Sequence, residues 1–187
     1  SDTVLKNNAI DICLNFLKAN KTVAVFGAKL FYPDRRIQHN CQRFPSLRCK
    51  VFELFRLQKI LGAKVSGKIL LGSFFDHQSV AYPDWIWGTF FLFKQDLIFI
   101  LPEHKLADDF FLYGEDMQWC KEFSLRGFKI AFEPNAHILH FGSKSKGNTS
   151  ELVKKNLDTF MVIYYNVVHR TLIKIVNYLL TGRFSYV

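Results

Sequence analysis

Between Phe110 and Ser145 the chain reads FFLYGEDMQWCKEFSLRGFKIAFEPNAHILHFGSKS, and this stretch restricts the fold more than any other. An aromatic run leads into the carboxylate pair Glu115-Asp116. Trp119, Cys120 and Phe123 then recur at helical spacing, and Gly127 stands where a helix ends on a left-handed residue. A brief strand, Pro134, a second strand ending at His140 and a Gly/Ser/Lys loop complete the segment. Helix and strands alternating at this spacing mark an α/β chain. Asp116 falls at a helix start and His140 at a strand end, places where folds expose chemistry.

The chain has 187 residues, 49% hydrophobic and 22% charged, which suits one globular domain with its own core and excludes a disordered chain. Twenty phenylalanines are large rings to bury, or to offer to a sugar or a membrane. A net charge of +9 favours an anionic partner. Nucleotide diphosphates, lipid pyrophosphates, acidic membranes and nucleic acid all qualify, and a basic solvated surface accounts for the charge equally well. Cys13, Cys41, Cys49 and Cys120 have no CxxC spacing, and Cys13 and Cys120 fall on apolar helix faces, so they read as free thiols in a reducing compartment. No signal peptide and no bilayer-length apolar run is present. The chain opens at Ser1-Asp2 without an initiator Met, as expected of a piece of a longer protein.

Ahead of the central segment, Asn8 is a plausible N-cap for a helix whose face is Ile10, Cys13, Leu14 and Leu17, ending near Asn20. Residues 22–26 read as a buried strand, Tyr32-Pro33-Asp34 as a turn, and 35–41 as extended chain. Residues 46–61 predict an amphipathic helix with Val51, Leu54, Phe55 and Leu57 inward. Residues 62–83 predict a mobile loop, with His77 an ordinary surface histidine. Residues 84–93 predict an apolar strand. Alternation puts Trp85 and Trp87 on one of its faces, either in the core or along a pocket. A short helix and turn follow over 94–102, and Asp108 and Asp109 read as solvent-facing or structural. Residues 150–180 predict one long helix with a wide apolar stripe, including Leu157, Phe160, Met161, Tyr164, Val168 and Leu172. Lys154, Lys155, His169, Arg170, Lys174 and Arg183 rim it. Such a helix suits an acidic membrane surface, and equally a protein surface.

The order FFLYGED…C…RG…P…H…GS resembles the C-terminal half of a family 2 glycosyltransferase of GT-A type, in particular the rhamnosyltransferase-like branch that builds bacterial surface polysaccharides. Gly27, Leu30, Pro33, Asp34, Gln38, Arg43, Phe44, Pro45 and Ser46 extend the likeness. Asp2-Thr3 matches the end of the family's DxD motif. Arg35 stands where the family often has Gly, and Ser143 where it usually has a second Gly. The resemblance implies a partial GT-A fold, a mixed sheet flanked by helices. Residues 1–149 would be its metal- and acceptor-binding part, with the nucleotide-binding βαβ half absent, and residues 150–187 an amphipathic helical extension.

The activity implied is transfer of a sugar from a nucleotide-diphospho-sugar to a hydroxyl of a glycan or polyprenyl-linked acceptor, with inversion. By resemblance Asp116 is the base that takes the hydroxyl proton, and Glu115 orients it or touches the acceptor. A helix start lowers the Asp116 pKa, while burial and Glu115 raise it. Asp2 and His140 would hold a divalent cation, Mg2+ or Mn2+, against the diphosphate. His137 lies on the opposite strand face. Trp85, Trp87, Gly88 and Thr89 would line the acceptor pocket, with Gly88 letting substrate approach the backbone. Gly142, Ser143 and Ser145 would close over the diphosphate. Taken alone, such a piece is expected to be weak or inactive. The loop is not a Walker A sequence, and neither zinc-finger spacing nor an RNA-recognition signature appears, so nucleic acid is not an expected partner. The expected location is cytoplasmic, peripheral on the inner face of the cell membrane, with homo-oligomer contacts open. The alternative is a non-catalytic, truncated transferase acting as a membrane- or partner-binding module.

Overall fold

The computed structural model describes residues 2–142 and 149–186. In chain order the elements are β1 (Thr3–Lys6), α1 (Ala9–Ala19), β2 (Val23–Phe31), β3 (Ile37–Gln38), β4 (Cys41–Gln42), α2 (Leu47–Leu54), α3 (Leu57–Ile60), α4 (Gly62–Leu70), β5 (Trp85–Ile86), β6 (Leu92–Phe93), α5 (Glu115–Leu125), β7 (Lys129–His140), α6 (Thr149–Tyr164) and α7 (Val167–Thr181). The fold is α/β. One mixed sheet runs β1-β7-β2-β3, with β6 also on β2, and β4 and β5 form a second, two-stranded sheet. β2 and β7 are parallel and the other pairings antiparallel.

β2 is buried along nearly its whole length, as expected of a parallel strand covered on both faces. One face meets α1 through Ala9, Cys13 and Leu17; the other meets α5 through Cys120 and Phe123. The apolar faces assigned to Cys13 and Cys120 are therefore real, and all four cysteines are unbridged. β7 was expected as two strands parted by Pro134. It is one strand with an irregularity there: the consecutive residues Ala28 and Lys29 of β2 face Glu133 and His137. Proline has no N–H for the ladder, so the strand loops out around it. The buried Glu133 carboxylate closes the bulge by accepting from the Asn135 backbone N–H at 3.0 Å and its side-chain amide at 2.7 Å.

Several local expectations are corrected. The helix expected over 46–61 breaks after Leu54, where Arg56 turns left-handed (φ 52°). Ser46 caps its start by accepting from Cys49 N–H, Phe52 becomes its buried residue, and Phe55 points outward, 66% exposed. Packing against α7, with Lys50 Nζ 2.8 Å from Asn177 Oδ1, selects that face. The loop expected over 62–83 contains α4 and is well packed. Gly67 lies so close to the next turn that a Cβ there would sit 2.5 Å from the Phe74 carbonyl oxygen. Gly67→Ala is therefore expected to cost about 1–3 kcal/mol, the usual cost of overpacking, measured by urea denaturation. His77, expected at the surface, is fully buried. Its ring meets Phe75 and Phe132 at 4.7 and 5.3 Å, its Nδ1 donates to Phe75 O, and burial pushes its pKa down to about 4.

The strand expected over 84–93 is two short pieces, β5 and β6, separated by residues 87–91, which begin with Trp87-Gly88-Thr89. The long C-terminal helix is also two. Asn166 adopts extended geometry, and its side chain accepts from His169 N–H at 2.9 Å, the N-cap arrangement that starts a new helix. Residues 150–186 share the main core: Phe160, Met161, Ile173 and Tyr186 are buried with Phe123, Ile86 and Phe44. The outer face of α7 leaves Val167, Val168, Leu172, Ile175 and Leu179 exposed. No helix among the described residues is long and apolar enough to cross a membrane.

Candidate functional site

Five stretches of the chain converge on one cavity of about 610 Å³, the first of them supplying Gln42, Arg43 and Pro45. The β5–β6 break supplies Trp85, Trp87, Gly88 and Thr89. The approach to α5 supplies Leu112 to Met117, and the end of β7 supplies His140. Val153 and Leu157 of α6 form the remaining apolar wall. Glu115, Asp116 and His140 thus line the same space, although 24 residues of chain separate Asp116 from His140.

Asp116 is held from two sides. Its Oδ2 accepts from Gly88 N–H at 2.8 Å and its Oδ1 from Met117 N–H at 2.7 Å. The sequence left open which influence governs its pKa. Burial wins over these two hydrogen bonds and, helped by Glu115, raises the pKa to about 6. A Cβ at Gly88 would stand 3.4 Å from Asp116 Cβ, an ordinary van der Waals contact, so Gly88 and Asp116 are direct neighbours in the cavity. Glu115 Oε2 is buried with no hydrogen-bond partner among the described residues.

The loop before α5 is bent, with Tyr113 at φ 62° and Gly114 at φ 128°, the second a region only glycine enters freely. Asn156 of α6 holds this bend by donating to the carbonyls of Leu112 and Tyr113 at 2.7 and 2.6 Å. The two tryptophans share the cavity but not their packing. Trp85 leans on the main core and donates Nε1–H to Arg43 O, while Trp87 packs with the α1 side of the sheet.

His140 reaches Asp2 through strand register. Antiparallel pairing of β1 and β7 sets Thr3 against His140, and Asp2 O accepts from Phe141 N–H at 2.9 Å. His140 Nε2 then lies 3.1 Å from Asp2 Oδ2. His137 faces away, against the Phe31 ring and Pro134 O. Asp2 itself is not part of the cavity lining. Gly142, at φ 74°, lies near Tyr32 rather than along the cavity. Ser143 and Ser145 lie outside the described residues.

A carboxylate oxygen and an imidazole nitrogen side by side form a donor pair suited to a divalent cation. No group of three or more His, Cys, Asp or Glu side chains gathers among the described residues, so the pair offers two ligands of the six or more such cations take.

Arg43 is structural. Its guanidinium donates to the carbonyls of Lys68, Ile69 and Tyr82 and pairs with Asp84 at 3.0 Å. It ties the end of α4 to the cavity floor. Asp109 is structural, accepting from the buried Gln118 amide. The residues that sequence reasoning missed as site-builders are Asn156, Tyr113 and Gln42. Tyr113 stands inside the FFLYGED stretch and Gln42 beside Arg43, but nothing local marks their place on the cavity, and Asn156 acts on it only through the Leu112–Tyr113 bend. Compared with known proteins, the chain matches no protein-family model and no curated protein.

Proposed function

We propose that this chain is the acceptor- and cation-binding part of an inverting, GT-A-type glycosyltransferase, joined in the working enzyme to a nucleotide-binding half. The single observation that carries the reading is the shared cavity. It brings a carboxylate of raised pKa, a flanking carboxylate, two indoles and the strand-end histidine to one space. Carboxylate, aromatic plane and cation seat are the parts that sugar transfer asks of a protein.

In this reading an acceptor sugar lies with a C–H face on Trp85 or Trp87, as apolar faces of sugars do on indoles. Its hydroxyl donates to Asp116. As the hydroxyl oxygen bonds to the anomeric carbon, its proton passes to the Asp116 carboxylate. The bond from that carbon to the nucleoside diphosphate breaks from the opposite face, which inverts the centre. Gly88 and Met117 N–H hold the base in one orientation throughout. Glu115 offers its unsatisfied oxygen to a neighbouring acceptor hydroxyl. Asp2 and His140 would hold a Mg2+ or Mn2+ ion, which when bound supplies positive charge to the departing diphosphate.

A pH profile tests the assignment of the base. Asp116 works only when ionised, and its pKa stands at about 6. For the complete enzyme, kcat/KM is expected to fall about tenfold per pH unit below that value and to level off above it. A profile flat between about pH 5 and pH 8 contradicts the assignment.

We propose further that this chain rests on a membrane through the exposed apolar face of α7, with Lys154 and Lys155 of α6 and Arg183 after α7 also exposed. Such a face enters the headgroup region of an acidic bilayer, on the cytoplasmic side where anionic lipid collects. The chain is expected to float with phosphatidylglycerol vesicles, more weakly at high salt, and Val168→Glu with Leu172→Glu should abolish flotation. Equal flotation with neutral vesicles, or none with either, counts against it.

A further inference from the structure

Gln38 is 1% exposed and turns both ends of its side-chain amide on one residue, His140. Its Nε2 donates to the His140 backbone carbonyl at 2.9 Å, and its Oε1 lies 2.7 Å from His140 Nδ1. A backbone carbonyl only accepts, so the NH2 end of the amide must face it, and chemistry fixes which way the amide points. The oxygen end then faces Nδ1. An amide oxygen also only accepts, so Nδ1 carries the hydrogen. In neutral imidazole the other nitrogen is then bare. That bare Nε2 stands 3.1 Å from a carboxylate oxygen of Asp2. With Nε2 bare, the two are both acceptors and are drawn together by a positive guest between them, a proton on Nε2 or a bound cation.

We propose that Gln38 is a positioning residue that fixes His140 in its Nδ1–H tautomer, so that Nε2 and the Asp2 carboxylate together form a two-donor seat for a divalent cation. Gln38 reaches this place from β3, across β2, to the end of β7. A metal-ligating histidine is commonly held by such a second group on its other nitrogen, and losing that group weakens metal binding about 10–100-fold. The proposal rests on the cation half of the function above and on none of its proton chemistry.

Two readouts other than transfer test it. In a 15N–1H correlation spectrum of the His140 ring at mildly alkaline pH, the wild-type chain is expected to show the hydrogen on Nδ1 and a bare Nε2. Mn2+ titrated into the same sample is expected to broaden His140 before His137 and His104. Gln38→Met keeps the length of the side chain and removes both polar atoms. It is expected to mix the tautomers and weaken Mn2+ binding at least about tenfold. A hydrogen on Nε2 in the wild type overturns the proposal. So does Mn2+ that bypasses His140, or a Gln38→Met chain that keeps tautomer and affinity. Where Gln38→Met fails to fold, the wild-type tautomer and the place of Mn2+ broadening decide. Any of these failures leaves the transfer chemistry, which is carried by Asp116, to its own test.

Discussion

Asp116→Asn is expected to lower sugar transfer by the complete enzyme about 10²–10⁴-fold, the usual contribution of a positioned base, with sugar-nucleotide affinity nearly unchanged. The substitution keeps the size of the side chain and removes its ability to take a proton. It also disturbs structure, because both carboxylate oxygens accept backbone N–H bonds, from Gly88 and Met117. Asparagine has one acceptor for these two donors. A residue that only pins the start of α5 would lose thermal stability and keep its turnover per folded molecule. A base loses turnover per folded molecule whatever happens to stability. Measuring kcat alongside the melting temperature separates the two, and normal turnover by Asp116→Asn makes Asp116 structural.

Phe160→Ala is expected to cost about 3–5 kcal/mol of folding stability, the range for emptying a buried aromatic site. Phe160 is fully buried. Its ring lies 5.5 Å from that of Phe44 and 4.9 Å from that of Tyr164, so it joins α6 to the segment beneath the cavity. The same helix carries Asn156, which holds the Leu112–Tyr113 bend, and Val153 and Leu157, which wall the cavity. Loosening α6 should therefore raise amide exchange in the loop before α5 as well as lower the urea midpoint. A loss under about 1 kcal/mol, far below the usual range, would mean that α6 contributes little to holding the site.

Much of this was legible in the residues, and the illegible parts have physical causes. α5 announces itself through Trp119, Cys120, Phe123 and Gly127, and the start of α1 follows Asn8, because these are local signals. Asn166 was the signal for the break between α6 and α7. A continuous apolar stripe hid it, since Phe160 and Met161 of α6 and Ile173 of α7 are all buried. The packed segment after α3 was invisible because Gly67 and His77 are polar or small residues buried by their tertiary neighbours alone. At the site, the carboxylate pair and the strand-end histidine could be picked out as chemistry-bearing types. Their meeting in one cavity could not, because it depends on how the β5–β6 break and the end of β7 pack around the start of α5. The direction of the Asp116 pKa shift was likewise out of reach, since it turns on how much protein covers the carboxylate.

The most direct test of the central claim is release of nucleoside diphosphate by the complete enzyme. A panel of sugar nucleotides would be supplied with Mn2+ or Mg2+ and with glycan or polyprenyl-linked acceptors. The account predicts that at least one donor is turned over, that release requires an acceptor, and that the transferred sugar has inverted anomeric configuration. No turnover of any donor across the panel, by an enzyme whose folding has been verified, would contradict it.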